Sequence, residues 1–395
     1  MSNIINKIEQ LQNKGVVIPD PHNIYIGDEV DTSRISGNGV IIYPGCKIYG
    51  NSVLILDRVK IGYEGPVTLE NCQVGPEVNL KGGFFSEAVF LKGAILGYGS
   101  HVREGTILEE ETGVAHTVGL KQTILFPYVT LGSLINFCDC FMSGGTSRKN
   151  HSEVGSSYIH FNYTPAQDKA TPSLIGDVPN GVMLKQKPIF LGGQGGLVGP
   201  CRLAFGTTVA AGTICRKDEP RPGRLIFGGP SKSGNMPFTP GDNRNIKRIM
   251  TNNIIYLSNL KALMHWYFYV RSQFLSSYFP EALLEGLKEK LDSAIDERIK
   301  RLKEFCEINE ETITAINKWP EFENCFKSDD SAENSLPLRD SFLKIIKSGI
   351  EIYGKDYLTV IKNLKDEESD IGIEWLQKIV DAKTSEATKI MVSGS

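Results

Sequence analysis

The most constraining feature of the sequence is a six-residue period between positions 189 and 218. One residue of a kind found in protein cores recurs at every sixth position, with glycine and small polar residues between: Leu191, Leu197, Leu203, Val209 and Cys215. An α-helix repeats its apolar face every 3.6 residues and a single strand every two, so neither explains this spacing. A parallel β-helix does, because each short strand forms one side of a prism and turns one side chain toward its axis. The pattern therefore predicts coils of three short strands, each coil about 18 residues long.

The same period extends far upstream. It recurs at Leu96, Val102, Leu108, Val114, Leu120 and Phe126, and earlier at Ile35, Ile41, Val53 and Val59, with Lys47 interrupting it. A β-sandwich would instead show polar–apolar alternation over five to eight residues and hairpin turns. We therefore predict a parallel β-helix over residues 17–229, with roughly ten coils. Two polar or proline-containing stretches, 141–152 and 176–188, break the register and predict loops that leave the prism and line a binding face.

On either side of the β-helix the sequence changes character. Residues 1–16 predict a helix with an apolar face that caps the open end of the first coil. Residues 230–242 are rich in proline, glycine and serine and predict a linker. Glycine is scarce beyond it, and residues 243–395 predict an α-helical domain with helices over 243–278, 281–307, 335–348 and 370–387. We expect the aromatic run from Trp266 to Tyr269 to belong to a core or a subunit interface.

Composition excludes several classes of function. The 395 residues contain 43 basic and 46 acidic side chains, a formal net charge of −3, so we expect neither nucleic acid nor a membrane as partner. The first 16 residues lack the apolar core of a signal peptide, and no apolar run of about 18 residues occurs, which predicts a cytoplasmic protein. The eight cysteines are then expected to be reduced. Cys138 and Cys140 have no second pair at zinc-ligand spacing, so no metal is predicted.

Five segments resemble the hexapeptide-repeat acyltransferases. The resemblance is greatest to the acetyltransferase half of the bifunctional enzymes that make UDP-N-acetylglucosamine. The segments are LKQTIL (120–125), SLINFCD (133–139), GSSYIHFNYTP (155–165), IFLGGQGGLVGP (189–200) and VAAGTICRKD (209–218). The resemblance covers roughly residues 95–218 and implies a left-handed parallel β-helix, followed here by helices that match nothing in that enzyme. The glycine-rich phosphate loop of the nucleotidyltransferase half is not found, which argues against nucleotidyl transfer.

Position by position, the resemblance implies a set of site residues. Asn162 and Tyr163 would contact the sugar and the acyl donor where subunits of a homotrimer meet, and Lys121 would approach a substrate phosphate. Small residues would leave room for the pantetheine arm of acetyl-CoA, which the resemblance implies as co-substrate. They are Ser156, Gly193 and Ala211.

The sequence departs from the family at the catalytic base, because Ser133 stands where the family has a histidine. The interval from Asp139 to Asn162 is also six residues longer than in the family. A serine at its ordinary pKa cannot take up the proton of an attacking group unaided, whereas an imidazole can. Three histidines are candidate replacements: His151, His160 and His116. The basic residues Arg148, Lys149 and Lys169 lie near this stretch and suit a phosphate group.

Two functional hypotheses follow from these residues. The first is an acyltransferase that moves an acetyl group from acetyl-CoA to a sugar phosphate or nucleotide sugar. The second is a β-helix that keeps a nucleotide-sugar pocket without the base and serves as a sensor or assembly platform. The discriminating residues are Ser133 and the histidine that replaces its function.

Overall fold

The chain forms a parallel β-solenoid followed by helices. The structure, a computed structural model, describes residues 2–161, 169–228, 246–308, 312–328 and 335–392. The helices in this part of the chain are α1 (Ser2–Lys14), α2 (Val178–Gly181), α3 (Ile246–His265), α4 (Glu281–Glu307), α5 (Trp319–Lys327), α6 (Leu336–Tyr353), α7 (Tyr357–Lys362) and α8 (Asp366–Val392). Helix α3 continues through a π-helical turn, Trp266–Val270, and a 3₁₀ turn, Arg271–Phe274. Three further 3₁₀ turns are Pro21–Asn23, Thr32–Arg34 and Ile313–Lys318.

The solenoid has three parallel sheets, and the chain passes through them in the order 1, 2, 3 in successive coils. Sheet 1 contains Tyr25–Ile26, Lys47–Tyr49, Val67–Glu70, Gly83–Ser86, Ser100–Val102, Val118–Leu120, Ile135–Asn136, Ile159–Phe161, Gly196–Val198 and Ile214–Cys215. Sheet 2 contains Leu54–Ile55, Gln73–Val74, Ala88–Phe90, Thr106–Leu108, Ile124–Leu125, Cys140–Met142, Ser173–Ile175 and Arg202–Leu203. Sheet 3 contains Ile41–Ile42, Lys60–Ile61, Asn79–Leu80, Ile95–Leu96, Gly113–Val114, Thr130–Leu131, Glu153–Val154, Phe190–Leu191, Thr208–Val209 and Leu225–Ile226. The prediction of a left-handed parallel β-helix followed by α-helices is confirmed.

The six-residue register fills the axis of the prism. All five residues of the opening stretch are buried in one continuous core, and Leu191 pairs in register with Val209. The second register holds from Leu96 to Leu120 but not at its last member. The coil shortens there, since Leu108 pairs with Leu125, 17 residues on. A shift of one residue turns a strand side chain to the opposite face, so Phe126 faces outward and packs on Phe141 at 4.7 Å between ring centroids.

The earliest register is confirmed at Ile35, Val53 and Val59, which are buried in the axial core, but not at Ile41. Ile42, Ile48, Ile55 and Ile61 are fully buried at the axis, whereas Ile41 is only partly buried. Lys47 is exposed because Ile48 beside it is the inward residue, so nothing interrupts the core at that coil. Val53 and Val59 are buried too, two residues before an inward isoleucine. Strand side chains alternate between faces, which places residues i and i−2 on the same side.

The helices cover one face of the prism. Apart from Gln73 and Arg202, the outward residues of sheet 2 are apolar and share a second core with α3, α4, α6 and α8. They are Leu54, Val89, Ile107, Ile124, Phe141 and Leu174. Trp266 and Tyr267 are buried in the same core, as expected for the aromatic run. Sheets 1 and 3 carry exposed outward residues, such as Lys47 in sheet 1 and Thr208 in sheet 3. Sheet 2 is therefore buried on both faces, and sheets 1 and 3 on one.

Three further segments complete the architecture. Helix α1 buries Ile8 and Leu11 against the first coil, and its Lys7 Nζ donates to the carbonyls of Gly27 and Asp28 at 2.9 and 2.6 Å. The first insertion forms a hairpin, Gly145–Ser147 with Asn150–His151. The second does not project to a binding face. Its Val182 and Met183 are buried in the core between the helices and the prism, because this stretch is apolar. The predicted linker, 230–242, lies outside the described residues.

A buried ion pair joins the prism to the helices. Arg271 is 1 % exposed, its Nη2 lies 2.5 Å from Glu110 Oε1, and its guanidinium stacks 3.8 Å from the ring of Tyr357. Beside it, Tyr267 donates to Glu109 at 2.6 Å. Burial and the neighbouring Glu110 raise the pKa of Glu109 to about 7. Among the described helices, none combines the length and apolar character that a membrane span requires.

Removing one member of this buried pair should destabilise the fold strongly. We expect Glu110→Ala to lower the free energy of unfolding by about 3–5 kcal/mol, because it leaves the Arg271 charge buried without its carboxylate. Arg58→Ala breaks the exposed ion pair with Glu77 and should have no measurable effect. Urea unfolding of both variants measures the difference, and equal stabilities would contradict the importance of the pair.

Candidate functional site

The corner between sheets 3 and 1 carries one residue per coil in a direct stack. Backbone hydrogen bonds connect the successive turns: Leu134 N donates to His116 O, Ser157 N to Ser133 O, Gln194 N to Ser156 O and Gly212 N to Gly193 O, at 2.8–3.1 Å. We call the stacked residues the corner column: His116, Ser133, Ser156, Gly193 and Ala211. The three small residues predicted to border acetyl-CoA thus lie in one line with the position of the missing histidine.

Two members of the corner column form a side-chain pair. His116 Nδ1 lies 2.9 Å from Ser133 Oγ, and Ser133 N donates to Ser156 Oγ at 3.1 Å. His116 is exposed and Ser133 is partly buried. In a neutral imidazole one ring nitrogen donates and the other accepts, so the bond at Nδ1 leaves Nε2 for a reacting group. An imidazole therefore stands one coil before Ser133, the position where the resemblance predicts the family's histidine, and is held there by the serine hydroxyl.

The corner between sheets 1 and 2 contains a cavity of about 220 Å³ rich in positive charge. Five basic side chains line it and define what we call the cationic cavity: Arg103, Lys121, Lys169, Arg298 and Arg301. Only two carboxylates, Asp139 and Glu297, share the lining. Five cations around so small a space favour an anionic group such as phosphate.

The partners of these basic residues leave part of their hydrogen-bonding capacity unused. Lys121 Nζ pairs with Glu104 Oε1 at 2.6 Å, and Arg298 Nη2 with Asp139 Oδ1 at 2.8 Å. Arg298 is only 3 % exposed, and its Nε is buried without a partner in the described structure. A buried N–H without an acceptor is costly, so an anion that reached Arg298 Nε would relieve this cost.

The cationic cavity and the corner column lie at opposite ends of one strand. Lys121 follows Val118–Leu120 and His116 precedes it. Thr117 between them has a left-handed backbone, with φ 58°, so the Cα atoms of His116 and Lys121 are at most about 16 Å apart. The outward residue between them is Gly119, where a Cβ would meet nothing nearer than 3.9 Å. At this coil, therefore, no side chain stands on the outer face of the strand between the two groups.

The other two candidate histidines lie elsewhere. His160 is 6 % exposed and in register with the axial residue Leu197, with its Nε2 2.9 Å from Ser173 Oγ. His151 belongs to the hairpin at the corner of sheets 2 and 3, where its Nδ1 contacts Arg148 O at 2.8 Å.

The remaining predicted substrate-binding residues are also divided between corners. Arg148 Nη1 donates to the carbonyls of Glu111 and Tyr128 at 2.8 and 3.1 Å, which fastens the hairpin rather than bringing Arg148 to the cationic cavity. Lys121 and Lys169 do meet in that cavity. Asn162 and Tyr163 lie outside the described residues, and their predicted contacts stay predictions.

Sequence reasoning missed three residues of the cationic cavity. Arg103 precedes Lys121 by 18 residues, one full coil, and the repeat could have revealed it. Arg298 and Arg301 lie on α4, and no sequence signal connects a distant helix to that corner. Among the described residues no group of three or more His, Cys, Asp or Glu side chains is placed to hold a metal ion.

The burial of His160 should make stability depend on pH. Burial, together with the like charge of Arg298, lowers the pKa of His160 from 6.5 to about 4, although Asp139 opposes the shift. Between these values the unfolded chain binds a proton that the folded chain does not. The free energy of unfolding therefore falls as pH falls from about 6.5 toward 4. Between pH 7 and pH 5 we expect the wild type to lose about 2 kcal/mol more than His160→Gln.

Urea unfolding of the wild type and of His160→Gln at both pH values provides the measurement. All other titrating groups are common to the two proteins, so each protein serves as the other's control. Parallel pH dependences would contradict a neutral, buried His160.

Comparison with known proteins identifies relatives of this chain, although no protein-family model matches it. The bifunctional protein GlmU of Thermotoga maritima is 27 % identical over 218 residues, which cover 55 % of this chain and 43 % of the relative. GlmU of Pelobacter propionicus is 26 % identical over 211 residues, 53 % of this chain and 40 % of the relative. GlmU of Clavibacter sepedonicus is 28 % identical over 219 residues, which cover 55 % of this chain and 39 % of the relative. The chain thus spans less than half the length of these relatives.

The comparison agrees with the motifs and the fold. The segments noted in the sequence pointed to the bifunctional family to which these relatives belong, and the three-sheeted prism has the six-residue register that the sequence predicted. The resemblance is therefore confirmed: this chain is similar to the bifunctional GlmU proteins over about 55 % of its length, and its β-solenoid is consistent with a hexapeptide-repeat acetyltransferase domain.

Proposed function

We propose that this protein is an acyltransferase that moves an acetyl group from acetyl-CoA to an amino or hydroxyl group of a sugar phosphate or nucleotide sugar. The observation that carries the proposal is the His116–Ser133 pair, with 2.9 Å between Nδ1 and Oγ, in the same corner column as Ser156, Gly193 and Ala211. The similarity to GlmU proteins supports the same class of reaction.

His116 supplies the proton transfer in this scheme. Its Nε2 takes the proton from the attacking amine or hydroxyl and later returns it to the sulfur of the leaving thiol, which is ordinary general acid–base catalysis. Ser133 positions the ring through Nδ1 and so restores what the substitution of the family's histidine removed. A second histidine is not needed, and neither the buried His160 nor the hairpin His151 lies in the corner column.

The small residues of the corner column suit the acyl donor. Ser156, Gly193 and Ala211 have at most one heavy atom beyond Cβ, which leaves a smooth edge along three coils beside His116. Acetyl-CoA supplies the activated thioester. Residues that are small at this edge would hold its narrow pantetheine arm, and a larger side chain at any of them would obstruct it.

The cationic cavity suits the acceptor's phosphate. With the phosphate among Arg103, Lys121 and Lys169, the rest of the acceptor would extend over Gly119 toward His116. Charge-assisted hydrogen bonds to phosphate contribute strongly to both affinity and orientation. A sugar phosphate or a nucleotide sugar has the length and the charge for this span, whereas a neutral sugar would leave the cavity empty.

The proposal includes assembly as a parallel homotrimer. Tyr98 and Leu134, which flank His116, are 53 % and 56 % exposed. Large apolar side chains this exposed beside a reactive group suit coverage by a neighbouring copy. Analytical ultracentrifugation should show three chains per particle, and a monomer at micromolar concentration would contradict this part of the proposal.

Replacing His116 should abolish the transfer. We expect His116→Ala to reduce the acceptor-dependent release of free thiol from acetyl-CoA by at least about 100-fold, because the general base is lost. His151→Ala serves as the control and should keep the wild-type rate, since this side chain lies in the hairpin, outside the corner column and away from the outer face of sheet 1. An active His116→Ala enzyme would exclude His116 as base. Nucleotide-sugar binding by the wild type without any thiol release would favour the non-catalytic hypothesis.

Replacing Lys121 should weaken binding of the acceptor. We expect Lys121→Ala to raise KM for a phosphorylated acceptor about 10-fold or more with a smaller change in kcat, because a charge-assisted contact to phosphate contributes about 1.5–3 kcal/mol. Lys47→Ala, another exposed lysine on sheet 1, is the matched control. Equal KM values for the two variants would show that the phosphate binds elsewhere.

A further inference from the structure

A large cavity lies at the third corner of the prism, away from the corner column and the cationic cavity. It encloses about 810 Å³ between the corner of sheets 2 and 3 and two segments of the helical region, 274–283 and 355–363. We call it the junction cavity and define it by Lys92, Glu110, Arg271, Lys355 and Lys362. Its volume falls within the range of small-molecule sites in proteins, about 300–1,000 Å³.

Two buried polar groups line this cavity with unused hydrogen-bonding capacity. The side chains of Arg271 and Glu110 are 1 % and 8 % exposed. Their mutual bond uses one atom of each, and in the described structure Arg271 Nε and Nη1 and Glu110 Oε2 have no partner. The ring of Phe279, 4.5 Å from the Arg271 guanidinium, and that of Tyr357 keep it in place. The cavity thus offers a fixed pair of donors beside an acceptor.

The rim of the cavity adds positive charge, including Lys355, whose Nζ donates to Leu275 O at 2.7 Å. Lys92, Lys355 and Lys362 are exposed there, and Lys362 Nζ lies 5.3 Å from the ring centroid of Tyr128. Nearby carboxylates are largely engaged: Glu77 pairs with Arg58, and Asp356 accepts from Thr359 N at 2.8 Å as the cap of α7. Glu111 is the remaining rim carboxylate. An entering anion would therefore meet three lysines before it reached the buried pair.

We propose that the junction cavity binds a phosphate ester that also carries hydroxyl groups, that is, a sugar phosphate or a nucleotide sugar, at a second site separate from the transfer site. Phosphate oxygens would accept from the rim lysines and from Arg271, and a hydroxyl would donate to Glu110 Oε2. A small anion such as inorganic phosphate can contact the buried pair but occupies little of the cavity, whereas an ester can contact the buried pair and the rim lysines at the same time. Since the lining comes from both the prism and the helices, the ligand would stabilise the packing of one on the other.

Calorimetric titration of the full chain tests this site with three probes: inorganic phosphate, glucose 1-phosphate and UDP-glucose. The titrations use the Lys121→Ala background, which weakens binding in the cationic cavity. We expect an ester to bind more tightly than inorganic phosphate, and Lys355→Ala/Lys362→Ala to weaken that binding at least 10-fold. The matched control, Lys300→Ala/Lys347→Ala, replaces exposed lysines of α4 and α6 outside both cavities and should bind as before.

Hydrogen exchange locates the bound ester. We expect slower exchange in segments 274–283 and 355–363 on addition of the ester. Unchanged exchange there, equal binding by both double variants, or no preference over inorganic phosphate would overturn the proposal. Thiol release by Lys355→Ala/Lys362→Ala keeps the two proposals distinguishable, because neither lysine belongs to the transfer site and the rate should remain that of the wild type.

Discussion

The rest of the structure depends on the burial of sheet 2 from both sides. Its inward residues complete the axial core. Its outward apolar residues, such as Leu54 and Leu174, pack against the helices and form part of the helical core. An isolated prism would expose this apolar stripe to water, and the helices α3 and α4 remove it. The cost of exposing such a surface fixes which face the helices occupy. Sheets 1 and 3, and the corner between them, therefore remain uncovered by these helices.

The different side chains found at the three corners follow from this packing. Stacked turns place one residue per coil at each corner, so residues about one coil apart in the sequence become neighbours in space. That geometry brings His116 to Ser133 and Arg103 to Lys121. The corners that adjoin sheet 2 also adjoin the helices, which is why Arg298 reaches the cationic cavity and Arg271 reaches Glu110. The helical region, without counterpart in the family's motifs, thus contributes charged groups to two of the three corners.

Much of the fold and part of the site could be predicted from residue patterns. The six-residue period predicted the solenoid, and the family motifs identified Ser156, Gly193, Ala211 and the departure at Ser133, which the structure places in one column. The failures have local causes. A 17-residue coil turned the side chain of Phe126 from the prism axis to the outer face. The apolar residues Val182 and Met183 of the second insertion packed between the prism and the helices instead of lining a binding face. Such one-residue shifts depend on turn geometry that a repeat pattern does not encode.

The sequence by itself determined the period, the inward side chains of most coils and the residue types available for the proposed acyl transfer, because these depend on local alternation and spacing. Only the tertiary structure decided which histidine stands in the corner column. Burial, which depends on contacts between coils, placed His160 at the axis and left His116 exposed beside Ser133. It also decided that α4 supplies Arg298, since the distance between a helix and a remote coil is set by core packing and not by position along the chain.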